Sequence, residues 1–174
     1  YTHMLNDRGG IETDITINRR KENEFLVISS ATTQPRDLNW IKKSIKENEK
    51  VFVTDVTNNY TVLSLQGPRS RDILSKLTNA DLTNDGFPFA TSKEIEIGYT
   101  NVIANRLTYV GELGWEIFIP TEHSLDVFDN LIKAGKEFNL KPAGYHALEH
   151  LRSERAYREY ELDLTPEDTP LEAG

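Results

Sequence analysis

Two glutamates four residues apart punctuate YVGELGWE, residues 109–116. Glu112 lies between Gly111 and Gly114 and is assigned to a turn. Glu116 lies in WEIFIP, where both faces of a strand would be largely apolar. A carboxylate taken out of water without a partner is costly, so Glu116 needs a partner of its own. An ionised carboxylate accepts two parallel hydrogen bonds. A planar heterocycle with an amino group beside a ring N–H, such as a pterin, presents that pair of donors. Tyr109 has the ring to stack on it, and a hairpin turning at Gly111–Gly114 would put Tyr109 and Glu116 on neighbouring strands. The alternative is structural: Glu116 pairs with an arginine such as Arg106, or lies at a sheet edge.

Asp14 also has two readings. GGIETDITINRR alternates, with Ile11, Thr13, Ile15 and Ile17 on one face and Glu12, Asp14 and Thr16 on the other. Asp14 is then part of a solvated strand face, or a carboxylate that orients a ligand amine or takes its proton. Gly9 and Gly10, just before the strand, permit unusual backbone angles or close approach.

Other chemistries find less support. His146 and His150 stand four apart on one helical face, a spacing that can bind zinc. HALEH is not the zincin motif, however, and no third ligand is suitably spaced, so no metal is expected. No glycine-rich loop fits a nucleotide fingerprint, and no serine has a nucleophile-elbow context. With no cysteine in the chain, disulfides, thiolate metal sites and cysteine nucleophiles are excluded. Tyr157 and Tyr160 with Arg155 and Arg158 read as a packing or interface face.

These residues must be positioned by a fold of mixed elements. EFLVISS follows the KENE turn and closes a hairpin with the Asp14 strand. Thr33 or Gln34 caps a helix with Pro35 at its start. Leu38, Ile41 and Ile45 form its apolar stripe, and Lys42, Lys43 and Lys46 face water. The order then recurs: VFVTDV and YTVLSLQG as strands about a TNN turn, then a helix after Pro68 with Ile73, Leu74 and Leu77 inward. KEIEIG, NVIANRLTYV and WEIFIP complete a meander. A helix capped by Thr121 runs to about Phe138, with Leu125, Phe128, Leu131 and Ile132 towards the core. Residues 142–160 read as a last, charged helix, and residues 161–174 as an acidic linker or tail. Two strand–strand–helix units with antiparallel hairpins predict an α+β fold.

The 174 residues suffice for one domain with a sizeable core. A hydrophobic fraction of 37%, a charged fraction of 28% and a net charge of −8 describe a soluble globular chain. The acidic balance argues against nucleic-acid or anionic-membrane partners, while leaving room for a local basic pocket. No apolar run is long enough to span a bilayer, and no signal peptide is visible. The start at Tyr1 and the end at TPLEAG suggest a fragment of a longer protein.

Taken together, YTHMLNDRGGIETD, LQGPRSRDIL, LTYVGELGWEIFIP, PAGYHALEHLRSERAYREY and LDLTPEDTPLEAG resemble, in order, the folate-binding aminomethyltransferase family. That family includes the glycine cleavage T-protein and the tetrahydrofolate-binding part of dimethylglycine and sarcosine dehydrogenases. The resemblance covers essentially the whole chain, and YVGELGWE and GYHALEHLRSE look closer to the dehydrogenase branch. It implies that Glu116 holds the pterin ring, that Tyr109 and Tyr1 belong to the folate pocket, and that Asp14 sits at the folate's reactive nitrogens. Leu148 stands where the T-protein has the arginine of its ARD motif. Arg152, one turn later, matches a separate arginine and is the candidate to substitute for it.

The implied activity is tetrahydrofolate-dependent one-carbon transfer forming 5,10-methylenetetrahydrofolate from a methylated-amine-derived unit. FAD would belong to an N-terminal flavin domain outside this chain. The implied location is cytoplasmic, or the mitochondrial matrix in a eukaryote. A non-catalytic folate-binding or assembly module is the rival reading.

Overall fold

The computed structural model describes residues 1–174 and shows two compact units. One comprises Tyr1–Asp55 with Arg158–Gly174, the other Val56–Tyr157. The class is α+β, as the mixture of hairpins and helices predicts.

The first unit is built on a three-stranded antiparallel sheet of β1 (Thr2–Leu5), β2 (Ile11–Lys21) and β3 (Glu24–Ile28), with β2 central. The eleven residues of β2 serve two partners in succession: Ile11–Ile15 pair with β1, and Thr16–Lys21 with β3. Ile11, Thr13 and Ile15 are buried as the alternation predicts. Ile17 is exposed and Asn18 buried instead. The inward parity thus changes just after β2 exchanges β1 for β3, which a single alternating pattern does not capture. Ile17 and its cross-strand partner Val27 form part of an exposed apolar surface on β2 and β3.

Helix α1 (Gln34–Ser44) begins after Thr33 with Pro35 in its first turn. Leu38, Ile41 and Ile45 are half-buried, and Lys42, Lys43 and Lys46 exposed. Its most buried side chain is Asp37, only 3% exposed. The Asp37 carboxylate accepts from the Thr33 hydroxyl at 2.6 Å and the Thr13 hydroxyl at 3.3 Å, so two hydroxyls replace the water it has lost.

Residues 51–56 form no strand. VFVTDV has the composition of one, but β-propensity without a ladder does not hold a strand. Phe52 is 95% exposed. The expected second strand–strand–helix repeat therefore keeps only β4 (Tyr60–Gln66) and α2 (Ser70–Leu74).

The second unit is a four-stranded antiparallel sheet, ordered β4-β7-β6-β5, with β5 at Ser92–Ile97, β6 at Thr100–Asn105 and β7 at Gly114–Pro120. Its core face carries Leu65, Trp115, Ile117, Ile119, Ala104, Val102, Ile95 and Ile97, packed with Phe87, Ile73 and Leu74. Phe87 meets Trp115 edge to face at 6.1 Å. Helix α3 (Ser124–Gly135), flanked by short 3-10 turns, supplies Val127 and Leu131 to the core, with Ala134 and Phe138 packed against it. Leu125 and Phe128 are exposed, contrary to the expected stripe. Positions 127, 131, 134 and 138 follow i, i+4, i+7 and i+11 along one face, whereas 125, 128 and 132 lie on a separate flank.

The last long helix, α4 (Tyr145–Glu154), is shorter than the expected 142–160. It ends because Ala156 turns left-handed at φ 55° and the Tyr157 amide returns to the Arg152 carbonyl at 3.0 Å. Residues 158–174 belong to the first unit. There Leu164 is buried, and the Ile11 amide donates to the Asp168 carbonyl at 2.9 Å. One turn of helix, α5 (Pro170–Ala173), follows a Thr169–Glu172 capping box. No helix is long and apolar enough to cross a membrane.

Candidate functional site

Glu116 sits third in β7, opposite Ser64 of β4 on one side and Asn105 of β6 on the other. Asn105 in turn faces Ser92 of β5. Cross-strand partners in an antiparallel sheet project from the same face, so Ser64, Glu116, Asn105 and Ser92 form a polar row across all four strands. They share the face opposite the one bearing Trp115 and Ile117. Gln66, two residues beyond Ser64, joins this face; its amide donates to the Ser64 hydroxyl at 3.0 Å and the Leu107 carbonyl at 3.3 Å. The buried Gln66 Oε1 and Ser92 hydroxyl have no hydrogen-bond partner.

Glu116 is half-buried, and burial pushes its carboxyl above the usual value of 4.5. No cation opposes that shift. Arg106, the partner suggested by the structural reading, donates to the Phe87 carbonyl at 2.5 Å and the Asn84 side chain at 2.7 Å. The carboxylate is also not at a sheet edge, because β7 is flanked by β4 and β6. Half-burial inside a ladder, with its desolvation unopposed, makes Glu116 a candidate ligand-binding group.

Tyr109 does not lie on a strand paired with Glu116. β6 ends at Asn105, and residues 106–113 form a bent connection to Gly114. The Thr108 hydroxyl accepts from the amides of Val110 at 3.2 Å and Glu112 at 3.1 Å, and Gly111 has φ +71°. These local bonds replace the expected hairpin ladder. The Leu113 carbonyl accepts from the Gly67 amide at 2.8 Å and the Ser70 hydroxyl at 2.9 Å. Tyr109 stacks on Tyr157, with ring centroids 6.5 Å apart and planes inclined by 22°. A cavity of about 60 Å³ beside the connection is lined by Phe89, Arg106, Thr108, Glu112 and Gly114 among others. Small-molecule pockets commonly take about 300 Å³ or more, and Glu116 does not line this one.

In the first unit, Tyr1 and Asp14 are brought together. The Tyr1 hydroxyl donates to the Asp14 carboxylate at 2.8 Å, and Tyr1 meets the His3 ring edge to face at 5.5 Å. β1 makes this possible by pairing His3 with Asp14 and Thr2 with Ile15. Asp14 is half-buried on the face away from Ile11 and Ile15.

Arg152 is buried in α4. It gives Nε and Nη2 to the Glu149 carboxylate at 3.0 and 2.7 Å, and Nη1 to the Tyr157 carbonyl at 3.0 Å. Leu148 is half-buried one turn earlier, and His146 and His150 are exposed. No three or more His, Asp or Glu side chains gather as for a metal ion.

Sequence reasoning missed the polar row and the Tyr109–Tyr157 stack. The row was partly signalled by parity: Ser64 and Gln66 alternate with Leu63 and Leu65. Its membership depends on strand register, which one sequence does not print.

The model of the GCVT N-terminal domain matches residues 1–174, and the chain belongs to that family. Among curated relatives, the mitochondrial pyruvate dehydrogenase phosphatase regulatory subunit of Mus musculus is 38% identical over 175 residues, covering 100% of this chain and 20% of the relative. Human mitochondrial dimethylglycine dehydrogenase is 34% identical over 174 residues, covering 99% and 20%. The aminomethyltransferase of Thermoanaerobacter pseudethanolicus is 34% identical over 174 residues, covering 100% and 47%. The chain thus spans a fifth of the first two relatives and 47% of the third. The fold is like that of the heterotetrameric sarcosine oxidase from Corynebacterium sp. U-96, solved in complex with pyrrole 2-carboxylate. The TM-score is 0.63 at 23% identity, over 76% of this chain and 65% of that one.

Proposed function

We propose that this chain binds tetrahydrofolate and serves one-carbon transfer, yielding 5,10-methylenetetrahydrofolate, as part of a dimethylglycine or sarcosine dehydrogenase-like protein or of an aminomethyltransferase. The observation that carries this reading is Glu116, a half-buried carboxylate with no cation partner in a polar row. A reduced pterin fits it: the amino group and adjacent ring N–H offer two parallel donors to the two carboxylate oxygens. When bound, the folate supplies the nitrogens that accept the carbon unit. In the second unit, Glu116 would orient the ring and Tyr109 would wall its pocket; in the first unit, Asp14, held by the Tyr1 hydroxyl, would hold or move a proton.

The name dimethylglycine dehydrogenase supports a methylated-amine source for the carbon unit, and FAD would lie in a flavin domain elsewhere in the same parent chain. The mitochondrial relatives support the matrix as the location in a eukaryote, with the cytoplasm as its bacterial counterpart. Calorimetry of the full-length protein with 5-formyltetrahydrofolate tests the reading. Binding weakened by Glu116→Gln supports it; no binding to the parent overturns it.

A second reading, a non-catalytic folate-binding or assembly module, is favoured by the 38% identity to a protein named as a regulatory subunit. The Asp14→Asn experiment in the Discussion separates the two.

A further inference from the structure

The resemblance to the family casts Arg152 as a candidate folate contact, yet the structure commits its donors elsewhere. Arg152 is 6% exposed, and its guanidinium donates to the Glu149 carboxylate and the Tyr157 carbonyl. The same residue's carbonyl accepts the Tyr157 amide at 3.0 Å. Tyr157 is therefore gripped at both ends of its peptide, just where Ala156 forces the chain left-handed out of α4. The ring so fixed is the one against which Tyr109 stacks.

A second tie runs beside the first. Arg155 ion-pairs with Glu112 at 3.2 Å, and its side chain fills the space that a Cβ on Gly111 would require. The end of α4 thus grips residues 109–112, in the connection that leads from Asn105 to Gly114, two residues before Glu116.

We infer that Arg152 is a positioning residue for the folate site: through Tyr157 it fixes Tyr109 and the 106–113 connection, without touching the ligand. This rests on the folate reading proposed above. A direct contact and a positioning role predict different dependences on the ligand. An arginine that bound the glutamyl tail would matter for folate and not for a pterin lacking the tail. An arginine acting through Tyr157 and Tyr109 would matter equally for both. Its effect would also disappear once Tyr109 had been removed.

The test uses the full-length protein with Arg152→Lys, which keeps a charge beside Glu149 but cannot span both Glu149 and the Tyr157 carbonyl. Two probes are titrated: 5-formyltetrahydrofolate and 6-methyltetrahydropterin. The expected result is a loss of roughly threefold to tenfold in affinity, the same for both, as for one displaced hydrogen-bonded support. Adding Arg152→Lys to Tyr109→Leu should change affinity no further. Hydrogen exchange of residues 106–113 in the ligand-free protein should quicken in Arg152→Lys.

Loss confined to the tailed ligand, additive losses in the double variant, or unchanged exchange at 106–113 each overturns the inference while leaving the folate reading in place. Failure of the parent to bind either probe overturns the folate reading, and the inference with it.

Discussion

Replacing Glu116 by glutamine should make the ligand-free protein more stable and its ligand complex weaker. Burial raises the folded-state carboxyl above its usual value of 4.5 with no opposing charge. The folded state therefore holds a proton more tightly than the unfolded chain does, and ionisation subtracts stability. That stability is fully present below the unfolded carboxyl's value and is lost as the pH rises through the raised one. The parent loses it progressively as the pH rises above the unfolded carboxyl's value, and the neutral amide of glutamine never does. Relieving one half-buried, unpartnered polar charge is worth on the order of 1 kcal/mol, which raises Tm by about 2–4 °C in a domain of this size. With a reduced folate bound, the sign reverses. A hydrogen-bonded contact to a charged group is worth about 1.5–3 kcal/mol, so affinity falls roughly tenfold to a hundredfold. Scanning calorimetry of parent and variant at pH 4 and pH 7, with and without 5-formyltetrahydrofolate, reads both effects. The gain in Tm should be present at pH 7 and absent at pH 4. A variant less stable at pH 7 would show that Glu116 has a structural partner, and unchanged affinity would sink the ligand assignment.

Asp14→Asn keeps an acceptor for the Tyr1 hydroxyl and should fold and bind folate. In the full-length protein, single-turnover formation of methylenetetrahydrofolate should slow by about 10²–10⁴-fold, with released formaldehyde rising while flavin reduction continues; unchanged trapping favours the non-catalytic module. Gly114→Ala places a Cβ against the Gln66 amide and the Leu65 carbonyl, and should cost about 1–3 kcal/mol in denaturant unfolding; a neutral result would show that β4 and β7 yield there. Elemental analysis should find no stoichiometric transition metal; about one zinc per chain, lost on His146→Ala, would refute that expectation.

The fold was legible where local chemistry and tertiary environment agree. Pro35 and Thr33 marked the start of α1, and Ile11, Thr13 and Ile15 marked an inward face. The pattern stops short at Ile17 because one strand serves two partners, and residues 51–56 carry the composition of a strand without a ladder. Glu116 was visible as a charge out of place in an apolar run. Its neighbours Ser64, Asn105 and Ser92 come from three other strands, and only register joins them. In sequence Tyr109 has the pattern of a strand residue, because nothing local announces that Thr108 captures the amides of Val110 and Glu112. Arg152 was assigned by resemblance, and its bonds to Glu149 and Tyr157 show what its burial requires.

The first unit is written in two pieces, with the whole second unit inserted between them. The closure is close-packed: a Cβ on Gly10 would collide with the Pro166 carbonyl, and the Asn6 side chain donates to that carbonyl at 3.2 Å across 160 residues of sequence. During synthesis, the Pro166 partner of Asn6 and Gly10 emerges 160 residues after Asn6. At roughly 5–20 residues per second, the early hairpin waits on the order of ten seconds for it. Residues 56–157, contiguous in sequence, have no such delay. The inserted unit can therefore fold while the sheet of β1, β2 and β3 still lacks its final cover.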